Sequence, residues 1–324
     1  MFMKKISMLA AAIACVVSAS SAFAAYPDKP ISVVVPFAAG GPTDVVARTL
    51  AQAMGTQLKG SMIVENVGGA GGTIGAGKVA RAAGDGYTLL FHHIGMSTAP
   101  SLYRKLDFKP LEDFIPIGAV VDVPMTLIGK PQITQTNLKD LLAYVRANKD
   151  KINLANAGVG AASHLCGLLL QNAMKTELTT VPFSGTGPAM TALLGGNVDI
   201  MCDQTTNTTG QIKGGKIKAF AVTSKAKLAN FPDLPPLATE LPGFEVGVWH
   251  ILYAPKNTPA DVVTKLQASL QAAIKDPGFS SKMKELGAEI MPIDRQNSAG
   301  AKALLTSEIA KWSPIIQAAK AYAD

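Results

Sequence analysis

The chain has little charge: acidic and basic residues make up 16% of its 324 positions. Aromatics are 6%, with four histidines and three cysteines. These scarcities remove several classes of function. No basic run with interleaved aromatics occurs, which argues against a nucleic-acid surface. No H-x-E or H-E-x-x-H pattern occurs. His92 and His93, being adjacent, point to opposite sides of a strand and make a poor chelating pair. No metal site and no cofactor are expected. Beyond the N-terminus no stretch of ~18 apolar residues remains, so no membrane span is expected there.

The N-terminus itself is distinctive. Residues 1–24 carry Lys4 and Lys5, an apolar run from Ile6 to Val17, and Ala22-Phe23-Ala24. This is the pattern of a secretory signal peptide with an A-x-A cleavage site. Cys15 does not read as a lipidation site, because the apolar run continues past it. The exported chain of about 300 residues suits two domains of ~150 residues in the periplasm. Losing the two leader lysines lowers the formal net charge of +7 by two. The mild positive field that remains suits small anions. Cys166 and Cys202 survive cleavage. In an oxidising compartment they pair or stay as buried thiols, and their spacing leaves both open.

Strand-like and helix-like segments alternate almost throughout, which predicts an α/β fold with parallel sheets. "ISVVV" (31–35), "MIVEN" (62–66) and "YTLLFHH" (87–93) read as strands. A helix follows from Pro42, and others are predicted near 73–83, 138–149, 162–174 and 188–195. "TTVPF", "NVDIMCD" and "IKAFAVT" read as further strands. Late in the chain, Thr258 is expected to cap a helix with Pro259 at N1. Separate helices are predicted at 298–311 and 314–322. The long extended stretches 114–130 and 244–256 read as crossings between lobes. Lobe I is then 26–125 plus 252–324 and lobe II is 126–251, joined by a hinge over a cleft.

Four strand-to-helix junctions are rich in small residues: "PFAAGGPTD" (36–44), "NVGGAGGTIG" (66–75), "NAGVGAASHL" (156–165) and "PFSGTGPAM" (182–190). Helix N-termini present free N–H groups and the positive end of the dipole, and glycine permits close approach. Facing one cleft, such ends suit a carboxylate or phosphate without arginine. Asp44 falls at N3 of its helix and reads as a cap rather than a base, while the Thr43 hydroxyl is free to face the cleft. His92 or His93, and His164, are candidate donors to an anion. "GTIGAGKV" (72–79) lacks the Ser or Thr of a Walker A loop, and Ser184 lacks a G-x-S-x-G elbow.

The segments "YPDKPISVVVPFAAGGPTDVVARTLAQAM", "VENVGGAGGTIGAGKVARAAGDGYTLL", "LYRKL", "VPFSGTGPAMTALLGGNVDIMCD" and "APKNTPADVVTKL" resemble the Bug proteins. These are the extracytoplasmic solute receptors (TctC type) of tripartite tricarboxylate transporters. The likeness runs from about Tyr26 to the C-terminal helices. It implies a two-lobed type II periplasmic binding protein fold, no catalysis, and a small organic carboxylate ligand passed to integral membrane subunits. Carried over by position, the ligand residues are Phe37, Ala39, Gly40, Gly41 and Thr43, then Gly158, Ala162, Ser163 and His164, then Asp203. This chain departs from the family at "FHHIGMSTAP" and "DQTTNTT". A histidine meeting a second carboxylate favours a dicarboxylate. Phe37, Phe183 and Trp249 either wall an aromatic ligand such as terephthalate or simply pack the core. A monomer is expected. The competing readings are a receptor for a membrane sensor, and an exported hydrolase using Ser184 or Ser163 with His164.

Overall fold

A computed structural model describes residues 26–319 and 321–323; the leader read over residues 1–24 lies outside the described residues. Four of the five residues of strand β1 (Ile31–Val35) are β-branched aliphatics, which suits a strand buried on both faces. Helix α1 (Pro42–Leu58) starts on a proline, whose missing N–H costs nothing in the first turn, and buries Val46, Ala47, Leu50, Ala51 and Met54. Strand β2 (Met62–Asn66), helix α2 (Thr73–Ala80), strand β3 (Thr88–His93) and helix α3 (Gly95–Leu102) follow. Strands β1, β2 and β3 are parallel.

The 16-residue strand β4 (Phe114–Gly129) leads into the middle of the chain. Helix α4 (Leu138–Ala147) is capped by Asn137, whose side chain accepts from the Asp140 N–H. Then come β5 (Asn153–Asn156), α5 (Ala162–Met174), β6 (Thr179–Pro182), α6 (Thr186–Leu194), β7 (Ile200–Gln204), α7 (Thr205–Lys213) and β8 (Lys218–Val222). Strand β9 (Gly247–Pro255) returns to the first sheet, followed by α8 (Ala260–Lys275), α9 (Pro277–Glu285), β10 (Glu289–Ile290) and α10 (Ser298–Ala319).

The strands lie in the order β2-β1-β3-β9-β4-β7-β5-β6, with β8 and β10 also on β4. Strand β4 is the link. It pairs with β9 from Phe114 to Pro124, then with β7 and β8 from Met125 or Thr126 to Gly129. Thr223 ties the junction together. Its hydroxyl accepts from the Met125 N–H at 2.8 Å and donates to the Val246 carbonyl at 2.6 Å. Its backbone bonds to the same two residues. All of β9 pairs with first-sheet strands from Gly247 on, so residues 247–251 belong with the first sheet rather than the second. Cys166 on α5 and Cys202 on β7 form a disulfide with 6.1 Å between Cα atoms.

Two sequence expectations change, and one helix was not anticipated. Thr258 does not cap α8: its hydroxyl donates to the Pro255 carbonyl in the turn after β9, and Pro259 holds the N-cap position. The two expected C-terminal helices are one, running through Pro314. Proline removes one internal hydrogen bond there, while Trp312 and Ile316 on either side stay buried. The polar segment after Asp203 is also a helix, α7, with Thr205, Thr206, Thr208 and Thr209 buried.

Candidate functional site

The loops at the strand ends enclose a cleft between the two sheets. An inner chamber of about 20 Å³ is lined by Phe37, Gly41, Thr43, His93, Ser163 and Asp203, among others. An outer chamber of about 550 Å³ is lined by the Gly68–Gly72 turn, Tyr103, Val159, Phe183 and Ser184. Phe37, Ala38, Ala157 and Gly185 border both. No lysine or arginine lines either chamber.

Four helix N-termini converge on the inner chamber. Its walls include Gly41 to Thr43 at the start of α1, Ala161 to Ser163 at α5, Gly185 and Thr186 at α6, and Gln204 at α7. None of these four helices has a side-chain cap hydrogen bond at its N-cap residue. Each end carries roughly half a positive charge on its free N–H groups. The glycine-loop argument anticipated four such ends, but the fourth is α7. The 66–75 loop lies instead in the outer chamber.

On the first lobe, Asp44 builds the loop. Its Oδ2 accepts from the Gly40 N–H and from Arg48 Nε, both at 2.9 Å, and its Oδ1 accepts from Asn66 at 2.8 Å. Burial acts to raise its pKa, but Arg48, Gly40 and Asn66 outweigh it and hold the carboxyl below its ordinary 3.8. The Asp44→Ala variant is expected to lose about 1–3 kcal/mol, because three donors lose their buried partner. Asp44's contribution is complete above the ordinary value and is lost as pH falls through the depressed folded value. Urea midpoints of wild type and Asp44→Asn should therefore converge in acid; a pH-independent gap would remove the linkage.

Thr43 is buried and its Oγ1 lies 3.2 Å from Nε2 of His250, which is 207 residues away in sequence. Burial pushes His250 down to about 3, so it is neutral. His93 is also buried, and burial, with His92 and His250 beside it, holds it well below the ordinary value. Its Nδ1 accepts from the Gly95 N–H at 3.0 Å, which puts its proton on Nε2. His93 stacks on Phe37, with ring centroids 4.3 Å apart. His92 is pushed down to about 3 by burial and lies behind Gly72 and Phe37, outside the chamber walls.

On the second lobe, side chains shape the β5–α5 loop. Ser163 Oγ accepts from the Ala157 N–H at 2.8 Å, which leaves its own proton free to donate. Asn156 Oδ1 accepts from the Gly158 N–H, and His164 Nδ1 accepts from the Gly160 N–H. His164 lines neither chamber. No Ser–His–carboxylate hydrogen-bond chain occurs among the described residues. Asp203 Oδ1 accepts from the Gln204 N–H and Oδ2 from Asn207. Burial outweighs those bonds and pushes its carboxyl up to about 7.

Of the residues singled out in the sequence, Phe37, Gly41, Thr43, His93, Ala162, Ser163 and Asp203 line the inner chamber. Gly158, Phe183 and Ser184 line the outer one. Ala39, Gly40, His92 and His164 line neither, and Trp249 is buried on β9 away from both. Sequence reasoning missed Thr186, Gln204, Tyr103 and the His250 partner of Thr43. Thr186, inside the 182–190 junction, and Gln204, next to Asp203, carried a local signal; the Gln204 Oε1 is buried without a protein partner.

The sequence profile of the family described as "Tripartite tricarboxylate transporter family receptor" matches residues 46–320. A protein of Agrobacterium vitis, described as the UPF0065 protein in the TAR-I ttuE-ttuC' intergenic region, is 44% identical over 295 residues, covering 91% of this chain and 85% of that one. The periplasmic binding protein BugD superposes with a TM-score of 0.89 at 52% identity, covering 92% of this chain and 99% of that one. MatC of Rhodopseudomonas palustris, with bound malate, superposes with a TM-score of 0.85 at 38% identity, covering 90% of this chain and all (100%) of that one. Profile, relatives and superpositions agree with the order of strands and loops, and the chain therefore belongs to the tripartite tricarboxylate transporter receptor family (the TctC or Bug proteins), periplasmic solute receptors with the type II binding-protein fold.

Proposed function

We propose that this protein captures a small organic dicarboxylate between its lobes in the periplasm and delivers it, as a monomer, to the integral membrane subunits of a tripartite tricarboxylate transporter. The observation that carries this reading is the inner chamber, where four helix N-termini meet without a lysine or arginine. Such a site satisfies a carboxylate through N–H groups, the Thr43 and Ser163 hydroxyls and the neutral His93. The inner chamber, walled by the four helix ends, takes one carboxylate group, and the outer chamber takes the rest of the ligand. Glycine amides of the Gly68–Gly72 turn are there to meet a second carboxylate. The malate-bound relative supports an aliphatic diacid. Phe37 and Phe183 on the outer walls make an aromatic diacid such as terephthalate the arm to compare. Hinging at Pro124–Met125 and Val246–Gly247, around Thr223, opens and closes the cleft.

A thermal-shift screen of the mature protein against dicarboxylates, monocarboxylates, amino acids, terephthalate and sugars tests the reading. A ligand bound only by the native state raises the Tm. Malate or succinate is expected to give the largest rise; a rise with sugars alone overturns the proposal. The Thr43→Ala/Ser163→Ala double variant removes two hydroxyl donors. Its affinity is expected to fall about 10- to 100-fold, at roughly 0.5–1.5 kcal/mol or more per donor, with the Tm of the free protein lower by only several degrees because the Ala157 N–H and His250 lose a partner. Unchanged affinity by calorimetry would remove both from the site.

A further inference from the structure

Asp203 stands at the inner chamber without a counter-charge. Its residue is 1% exposed, and its two oxygens accept only from the Gln204 N–H at 2.9 Å and Asn207 Nδ2 at 2.6 Å. The polar groups that share the chamber with it are Thr43 from α1, His93 from β3, Ser163 from α5, Thr186 from α6 and Gln204 at the start of α7. Thr126 on β4 pairs with it across the sheet and donates to its main-chain carbonyl. None of these carries a positive charge, since His93 is held neutral by burial.

A carboxylate that enters a chamber of about 20 Å³ comes to lie against this side chain. Two carboxylates sharing a buried site do not both ionise where no cationic side chain offsets their repulsion. The helix ends supply partial charge for one anion but not for two side by side.

We propose, resting on the dicarboxylate reading above, that the ligand binds together with one proton, held between Asp203 and the inner ligand carboxylate, so that Asp203 acts as a hydrogen-bond donor to it. The proton comes from solvent on binding and returns to it on release. No covalent bond changes. The second ligand carboxylate stays ionised in the outer chamber. Burial has already lifted the free carboxyl to about 7, so protonating it at neutral pH costs little. A second carboxylate beside it raises the value further in the complex. The sign follows from linkage. Well below pH 7 the free protein already holds the proton and affinity is flat. Above it, binding must draw the proton from solvent, and Kd rises about tenfold per pH unit.

The test is calorimetry of the mature protein with succinate and with malate, in phosphate and in Tris, from about pH 6 to about pH 9. The expected result is an apparent binding enthalpy that differs between buffers by nearly one proton's worth above neutrality, with the tenfold-per-unit rise in Kd. In the Asp203→Asn variant, a neutral donor of the same shape, the rise and the buffer dependence are both expected to vanish. Binding of either diacid with no proton uptake and a flat wild-type profile overturns the proposal while leaving the dicarboxylate reading intact. So does an Asp203→Asn profile that still parallels wild type, or tighter binding of aspartate with no proton uptake, since Asp203 would then accept from an ammonium. If neither diacid binds, the dicarboxylate reading itself fails and this inference falls with it.

Discussion

Replacing Gly71 by alanine is expected to hold the cleft open and to weaken ligand binding by about 10- to 100-fold, or roughly 1.4–2.8 kcal/mol. Gly71 sits in the 3-10 turn before α2 with φ +60°. Alanine tolerates that left-handed conformation at a cost of roughly 1–2 kcal/mol. The larger effect lies across the cleft. A Cβ at residue 71 would stand 2.4 Å from the Val159 carbonyl oxygen and 2.6 Å from the Tyr103 hydroxyl. Those two groups form a contact between the lobes, with Tyr103 Oη donating to the Val159 carbonyl at 3.0 Å. A methyl group cannot share that space, and the yielding coordinate is the hinge rather than either packed lobe. The unliganded Tm should fall by only a few degrees, the cost of the left-handed backbone. Calorimetry gives the affinity, and small-angle scattering should show the liganded variant keeping the larger radius of the open form. Gly187→Ala is the control, because a Cβ there meets nothing within 4 Å. If Gly71→Ala binds within about twofold of wild type, the contact does not limit closure.

Reducing the Cys166–Cys202 disulfide is expected to lower stability by about 4 kcal/mol and the Tm by on the order of 10 °C. The bond closes a loop with a sequence separation of 36, and the estimate comes from the entropy that loop regains in the unfolded chain. The same bond spans the site. Cys166 lies one turn after Ser163 on α5, and Cys202 immediately precedes Asp203 on β7. Both cysteines are fully buried, so their replacement by alanine mixes cavity cost with loss of the crosslink. Comparing wild type refolded with and without reductant isolates the bond. Ligand affinity should fall together with stability, because the crosslink fixes the spacing between a hydroxyl donor and the buried carboxyl. A reduced protein with unchanged Tm and Kd would show that packing alone holds α5 against β7.

The parts of the fold that were legible in the sequence rest on short-range rules. Pro42 at a helix start and Asn137 as a cap act within a few residues. The β-branched run of β1 and the glycine junctions after β1 and β5 likewise act within a few residues. So does the role of Asp44, whose partner Gly40 is four residues away. The two lobes were read from the extended crossings at 114–130 and 244–256, and the family resemblance added most of the chamber residues. Helix α7 was not legible, because threonine is a weak helix former and "TTNTT" carries no apolar periodicity. It is helical because distant groups satisfy its hydroxyls. Thr208 meets Thr126, Thr205 donates to the Gly287 carbonyl and Thr209 to that of Leu286. His164 accepts from the Gly160 N–H, the local loop-holding role that a histidine at a helix start offers beside ligand binding.

The sequence by itself determined the alternation of strands and helices and the small-residue junctions that leave helix N–H groups free. The tertiary structure alone decided which four helix ends share a chamber, that His250 stands behind Thr43, that the two cysteines meet, and that Asp203 is buried with no counter-charge. Backbone propensities extend over a few residues, whereas these pairings join groups tens to hundreds of positions apart, brought together by the register of β4 with β7 and β9.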